Sequence, residues 1–129
     1  MREIKFRIWC NSLKRMIYNP YIKDITEQRY QINDYFNGKN NKFTWMIYSN
    51  VKDQNGKELY EGDIIKIYSN INNFYEISIV IFYKGSFNYL KNPEFYGISF
   101  PLNSLPSYCF IELIGNIYEN TKLLENKNE

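Results

Sequence analysis

Four acidic side chains lie close together in the middle of the chain and could do chemistry: Asp53, Glu58, Glu61 and Asp63. Converging carboxylates bind Mg²⁺ or Ca²⁺ or serve as general acids and bases. A calcium loop starting at Asp53 would need further oxygen ligands and a Glu at its twelfth position, which this segment lacks. Asp also accepts backbone N–H bonds at bends. Turn formation is therefore the interpretation we favour over a metal site.

Two turns with recognisable chemistry occupy the same segment. Asn55-Gly56 joins two residues that tolerate positive φ, and Gly62-Asp63 forms a second bend shortly downstream. We expect Tyr60, just before the second bend, to enter the core. An apolar run follows at once, so we expect the segment to form a turn, a short connector, a second turn and a strand. We interpret Asn55, Gly56, Tyr60, Gly62 and Asp63 as a structural motif.

A second candidate site combines cations with an aromatic ring. Lys5, Arg7 and Trp9 alternate with apolar residues, and alternate side chains of a strand share a face. We expect Lys66 or Tyr68 near them, forming a surface for nucleic acid or another partner. Cations beside aromatic rings hold single-stranded nucleic acid through phosphate attraction and base stacking. The alternative, which we favour, is that Trp9 packs beneath the central turn and the bases are solvated.

The chain has no histidine. This excludes Ser-His and Cys-His nucleophiles and removes the commonest general base and transition-metal ligand. The two cysteines, Cys10 and Cys109, lack CxxC spacing, which argues against zinc. We expect them to be buried free thiols, with a disulfide between them as the alternative. We therefore predict neither an enzyme nor a cofactor.

The net charge and the hydropathy of the chain limit the classes of partner and the cellular compartment that we expect. The formal net charge is +2, much smaller than strong nucleic-acid binders carry. No apolar run approaches the ~20 residues that span a bilayer, and the first residues lack a signal-peptide core. We expect a cytoplasmic protein without a membrane partner.

Aromatic residues are unusually frequent, with 13 Tyr and 9 Phe. They favour strands. Exposed Tyr and Trp also suit protein–protein recognition, because their rings bury much area at small entropic cost. We expect a protein partner at the loops around residues 70–74 and 92–100, and a homo-oligomer stays open as an alternative.

Several short segments of strand type, separated by turns, predict one mainly β domain of 129 residues. We predict an N-terminal hairpin over residues 1–18, a short helix over 25–36 and a main sheet over 43–114. A turn and a frayed tail should follow over 117–129, with Asn120 capping a helical turn. The resulting fold is a small antiparallel, barrel-like sheet with one or two short helices.

Three separated blocks carry a resemblance: residues 2–9 (REIKFRIW), 52–65 (KDQNGKELYEGDII) and 113–120 (LIGNIYEN). In order and spacing they resemble the YopX family, small proteins of phages and prophages. The resemblance implies a β-rich fold and phage origin. The family has no established activity, so no catalytic residue carries over to this chain.

These inferences point to a non-enzymatic phage or prophage accessory protein. We expect a protein-interaction module directed at another protein, of the host or of a rival genetic system. The alternative is a small barrel that binds nucleic acid through Lys5, Arg7 and Trp9.

Overall fold

The structure is a computed structural model that describes residues 3–18, 43–91 and 99–125. The helix predicted over 25–36 lies outside these residues. The described strands form two sheets, of order β2-β1-β3-β4 and β8-β7-β6-β5-β9. Their bounds are β1 Phe6–Cys10, β2 Arg15–Tyr18, β3 Phe43–Lys52, β4 Glu58–Tyr60, β5 Asp63–Ser69, β6 Tyr75–Tyr83, β7 Ser86–Lys91, β8 Ser99–Pro101 and β9 Cys109–Asn116.

The predicted fold class is confirmed. The registered strand pairs are antiparallel, and one of the sheets curls into a half-barrel. Helical structure in the described residues consists of two 3-10 turns, Leu102–Ser104 and Thr121–Leu124. The main sheet predicted over 43–114 is divided between two sheets, because the central turns redirect the chain between β3 and β5.

The chain has two compact units, Met1–Tyr48 and Ser49–Glu129, with the boundary inside β3. In the first unit β1 pairs with both β2 and β3. Ile8, Cys10 and Phe43 form its buried core. The hairpin predicted at the N-terminus corresponds to β1 and β2.

Arg7 and Trp9 are both buried, at 1% and 6% exposure. Burial of Trp9 agrees with the alternative that we favour, whereas the expectation of solvated bases is wrong for Arg7. Met46 and Tyr18 lie opposite Arg7 on the two neighbouring strands. The guanidinium Nε donates to Met46 Sδ and Nη1 donates to the Tyr18 hydroxyl, both at 3.4 Å. Phe6, one of the apolar residues that alternate with Lys5, Arg7 and Trp9, is 37% exposed. Cross-strand neighbours therefore cover the face that the polar pattern assigned to solvent.

In the second unit the buried core contains Leu59, Ile65, Ile67 and Val80 together with Tyr89 and Leu102. β6 and β7 form a hairpin with Tyr83 opposite Ser86. The two residues between them, Lys84 and Gly85, have φ of 48° and 83°. Positive φ at both positions is the geometry of a two-residue type I′ turn, which matches strand twist.

The segment after β9 differs from the predicted helix cap. The Asn120 side chain does not cap the turn Thr121–Leu124. Its Oδ1 instead accepts from the Asn116 backbone N–H at 3.0 Å. Leu123, in the same turn, is 36% exposed. The closing turn is thus held by side-chain bonds to the end of β9.

Candidate interaction surface

The central turn is organised by the buried carboxylate of Asp53. Its Oδ1 accepts from the backbone N–H groups of Asn55 and Lys57, each at 2.9 Å. Its Oδ2 accepts from the N–H of Leu113 on β9, also at 2.9 Å. The Gln54 N–H donates to the Ile111 carbonyl at 2.9 Å. The turn is thereby fixed against the edge of β9.

The electrostatics of Asp53 follow from these bonds. Burial alone raises the pKa of its carboxyl. The N–H donors of Leu113, Lys57 and Asn55 and the positive charge of Lys57 outweigh that effect, so the pKa lies below its ordinary value. Asp53 is therefore an ionised structural group at neutral pH.

The second bend, at Gly62-Asp63, is also held by a buried aspartate carboxylate that accepts a backbone hydrogen bond. Asp63 is 1% exposed, and its Oδ2 accepts from the Tyr60 N–H at 2.7 Å. Gly62 has φ of 90°; its N–H donates to Val80 and its carbonyl accepts from Ile117. Within the turn motif Asn55, Gly56, Tyr60, Gly62 and Asp63, these bonds tie the second bend to β6 and to the segment after β9. In residues 3–18, 43–91 and 99–125 no group of three or more Cys, Asp and Glu side chains could hold a metal ion.

The predicted cation–aromatic surface is divided between the two units. Lys5, Arg7 and Trp9 belong to the first unit, whereas Lys66 and Tyr68 lie on β5 of the second. Burial removes the Arg7 guanidinium and the Trp9 ring from solvent. The Lys5 ammonium lies 3.4 Å from the Glu3 carboxylate and 5.5 Å from the centre of the Tyr48 ring.

Lys66 and Tyr68 do form a cation–aromatic arrangement, with partners that the sequence did not indicate. The Lys66 Nζ lies 4.7 Å from the centre of the Tyr75 ring and 5.9 Å from that of Tyr68. The Tyr68 and Phe110 ring centres are 5.7 Å apart, and the Tyr68 hydroxyl donates to Gln54 Oε1. Tyr75 and Phe110 face Tyr68 from the two neighbouring strands, so strand register created this cluster.

Large apolar side chains are exposed at the same end of the sheet. Ile71, Phe74, Tyr75 and Tyr108 are 72%, 57%, 54% and 45% exposed. The backbone bonds of Ser69 to Phe74 and of Asn70 to Tyr108 bring their two loops together. We call this surface the aromatic end; it comprises Tyr68, Ile71, Phe74, Tyr75, Tyr108 and Phe110. The predicted loop 70–74 contributes to it, whereas 92–98 lies outside the described residues.

An open groove of about 350 Å³ lies beside the edge of β9. The central turn, the loop after Leu102 and the start of β9 line it, with side chains that include Lys52, Gln54, Leu105, Pro106, Cys109 and Phe110. Cys109 is a half-buried free thiol, whereas Cys10, in the first unit, is fully buried. Sequence reasoning missed the groove, because its loop was recognisable only as a proline-rich stretch.

Comparisons with known proteins agree with this fold. The family model described as "YopX protein" matches residues 5–125. The crystal structure of protein EF1440 from Enterococcus faecalis is similar at a TM-score of 0.62 and 25% identity, covering 96% of this chain and 99% of that one. Protein yopX from Bacillus subtilis has a TM-score of 0.61 at 20% identity, covering 93% and 97%, and shows the fold alone. Among curated proteins none matches.

The helical segments of the described residues offer nothing long and apolar enough to cross a bilayer.

Proposed function

The chain belongs to the YopX family, and on that premise we propose that it is a non-enzymatic phage or prophage accessory protein. It acts in the cytoplasm by binding another protein, of the host or of a rival genetic system. The observation that carries this proposal is the aromatic end, where four large apolar side chains are about half or more exposed, three of them on adjoining loops and Tyr75 at the start of β6. Exposed apolar patches on soluble domains mark interaction sites.

The area of the aromatic end sets the expected affinity. A fully exposed Phe or Tyr offers roughly 200 Å², so these four side chains offer on the order of 400–500 Å² to a partner. A standard interface buries about 800 Å² on each side. The aromatic end alone therefore supports a transient complex, and a stable one needs further contacts on neighbouring surface.

A photo-crosslinking phenylalanine analogue at position 74 tests the proposal. Phe82 is a matched control, because it is also an exposed Phe of the second unit, at 44% exposure. In host lysate we expect one discrete protein adduct from position 74 and none from position 82. Excess unlabelled protein should compete it away, and the Tyr75→Ser variant should compete poorly. Equal adducts from both positions would refute the proposal.

Nucleic acid is the alternative partner, supported by the Lys66 ammonium over two tyrosine rings. Base stacking on exposed aromatics and phosphate attraction are how single strands are bound. Two facts count against it: Arg7 is buried, and Glu112 lies directly opposite Lys66 on β9. A gel shift with single-stranded DNA and RNA, sensitive to salt and lost in Lys66→Ala, would replace the proposed function with this one.

A further inference from the structure

The groove beside β9 and the aromatic end are parts of one surface. Phe110 lines the groove and also packs against Tyr68. Gln54 lines the groove, and its Oε1 accepts a hydrogen bond from the Tyr68 hydroxyl. A partner segment can therefore contact the exposed rings and enter the groove without crossing intervening structure.

The groove has the size and lining of a side-chain subsite. Its volume of about 350 Å³ is at the lower end of the range for ligand sites, roughly 300–1,000 Å³. Leu102 in its lining is buried, Leu105 is half-buried and Pro106 is exposed. This lining suits one or two apolar side chains of a larger molecule.

The charge of the groove is positive where it faces solvent. Lys52 and Asp53 are the charged residues of its lining. The Asp53 carboxylate is buried and accepts three backbone N–H bonds, so its charge is compensated from within. Lys52 is exposed, and in the described ranges no carboxylate forms an ion pair with it. The charge left for a ligand is therefore that of an ammonium group.

From this continuity, size and charge we propose that the groove binds an extended segment of a partner protein in which an acidic residue neighbours an apolar one. The apolar side chain occupies the space beside Leu105 and Pro106, and the acidic group faces Lys52. This inference rests on the proposed function, since the same segment continues onto the aromatic end. It supplies the additional contacts that a stable complex needs.

Cys109 provides a direct readout, because it lines the groove as a half-buried thiol while Cys10 is fully buried. A thiol-reactive dye should label Cys109 and spare Cys10 in the folded protein. The probe is a capped synthetic peptide of alternating aspartate and leucine, compared with the same peptide carrying lysine in place of aspartate. We expect the acidic peptide to slow labelling of Cys109 and the basic peptide to leave it unchanged.

Charge reversal separates recognition from general protection. Lys52→Glu should weaken protection by the acidic peptide about five-fold, the upper range for an exposed ion pair, and should create protection by the basic peptide. Lys84→Glu is the control, since Lys84 is exposed at the β6–β7 turn and absent from the groove lining. It should behave as the parent protein, and thermal melts of both variants verify folding.

Other occupants give different results. Equal protection by both peptides, or an unchanged response in Lys52→Glu, overturns the inference. Protection of Cys109 by a single-stranded oligonucleotide alone assigns the groove to nucleic acid. Labelling that slows only as the protein concentration rises assigns the groove to a second copy of this chain. Either result overturns the inference. If position 74 gives no discrete adduct while the acidic peptide still protects Cys109, the proposed function is refuted and the inference about the groove stands.

Discussion

Replacing Asp53 by asparagine should destabilise the second unit by about 3 kcal/mol, because hydrogen bonds to a charged group contribute roughly 1.5–3 kcal/mol each. The amide keeps the carboxylate's shape. Its oxygen can still accept the bonds that Asn55 and Lys57 donate to Oδ1. Its NH₂ group then faces the Leu113 N–H, where Oδ2 now accepts. A donor would meet a donor in a buried site.

Urea unfolding monitored by circular dichroism measures this loss, because both tryptophans, Trp9 and Trp45, lie in the first unit. For a chain of this length, about 3 kcal/mol corresponds to a melting temperature lower by roughly 10 °C. Amide hydrogen exchange adds a local readout, since exchange at Leu113 should accelerate more than exchange in the β6–β7 hairpin. Gln54→Ala is the matched control: it removes an exposed side chain from the same turn, together with the bond that this side chain accepts from the Tyr68 hydroxyl, and leaves the Asp53 bonds in place.

The pH dependence checks the electrostatic part of this reasoning. The folded-state pKa of Asp53 lies below its ordinary value, which is about 3.9 in an unfolded chain. Its stabilisation is therefore complete above that value and is lost as pH falls through the lower folded pKa. The Asn variant should lose less stability than the parent between pH 5 and the acid limit. If Asp53→Asn lowers the free energy of unfolding at pH 7 by less than about 0.5 kcal/mol, as substitutions at ordinary surface sites do, the structural role assigned to Asp53 is refuted.

Three further substitutions test other parts of the fold, each by urea unfolding. Gly62→Ala should cost about 1–2 kcal/mol, because φ at this position is 90° and side chains disfavour that region; an unchanged midpoint would contradict this. Gly115→Ala should cost about 1–3 kcal/mol through overpacking, since a Cβ would lie 2.6 Å from Asn120 Oδ1; exchange at the Asn116 amide should also rise, and unchanged protection there would count against it. Arg7→Ala should cost about 2–3 kcal/mol through its buried polar contacts, whereas the exposed Arg15→Ala should cost little; equal effects would show that burial of Arg7 is immaterial.

The turns were predictable from sequence because their chemistry is local. Asn55-Gly56 and Gly62-Asp63 each specify a backbone conformation within a few residues. The same local logic indicated that Asp53 serves a turn. It could not indicate Leu113 as the third donor, since that contact depends on the register and curvature of a distant strand.

The candidate surface was predictable only in part. Lys66 and Tyr68 were singled out from sequence, but Tyr75 and Phe110 joined them through cross-strand register. For Arg7 the error is of the opposite kind: the sequence placed a buried residue on the candidate surface. Period-2 alternation assigns polar residues to solvent only where one sheet face is wet, and Met46 and Tyr18 cover this one.

The bond between Asp53 and Leu113 spans 60 positions along the chain, which has a consequence for how the protein folds. Contacts of such high sequence separation form late, after local hairpins, because closing a long loop is entropically costly. During synthesis, Asp53 leaves the ribosome well before Leu113, and its carboxylate stays hydrated until β9 emerges. We therefore expect the β6–β7 ribbon to assemble first and docking of the last strand to set the folding rate.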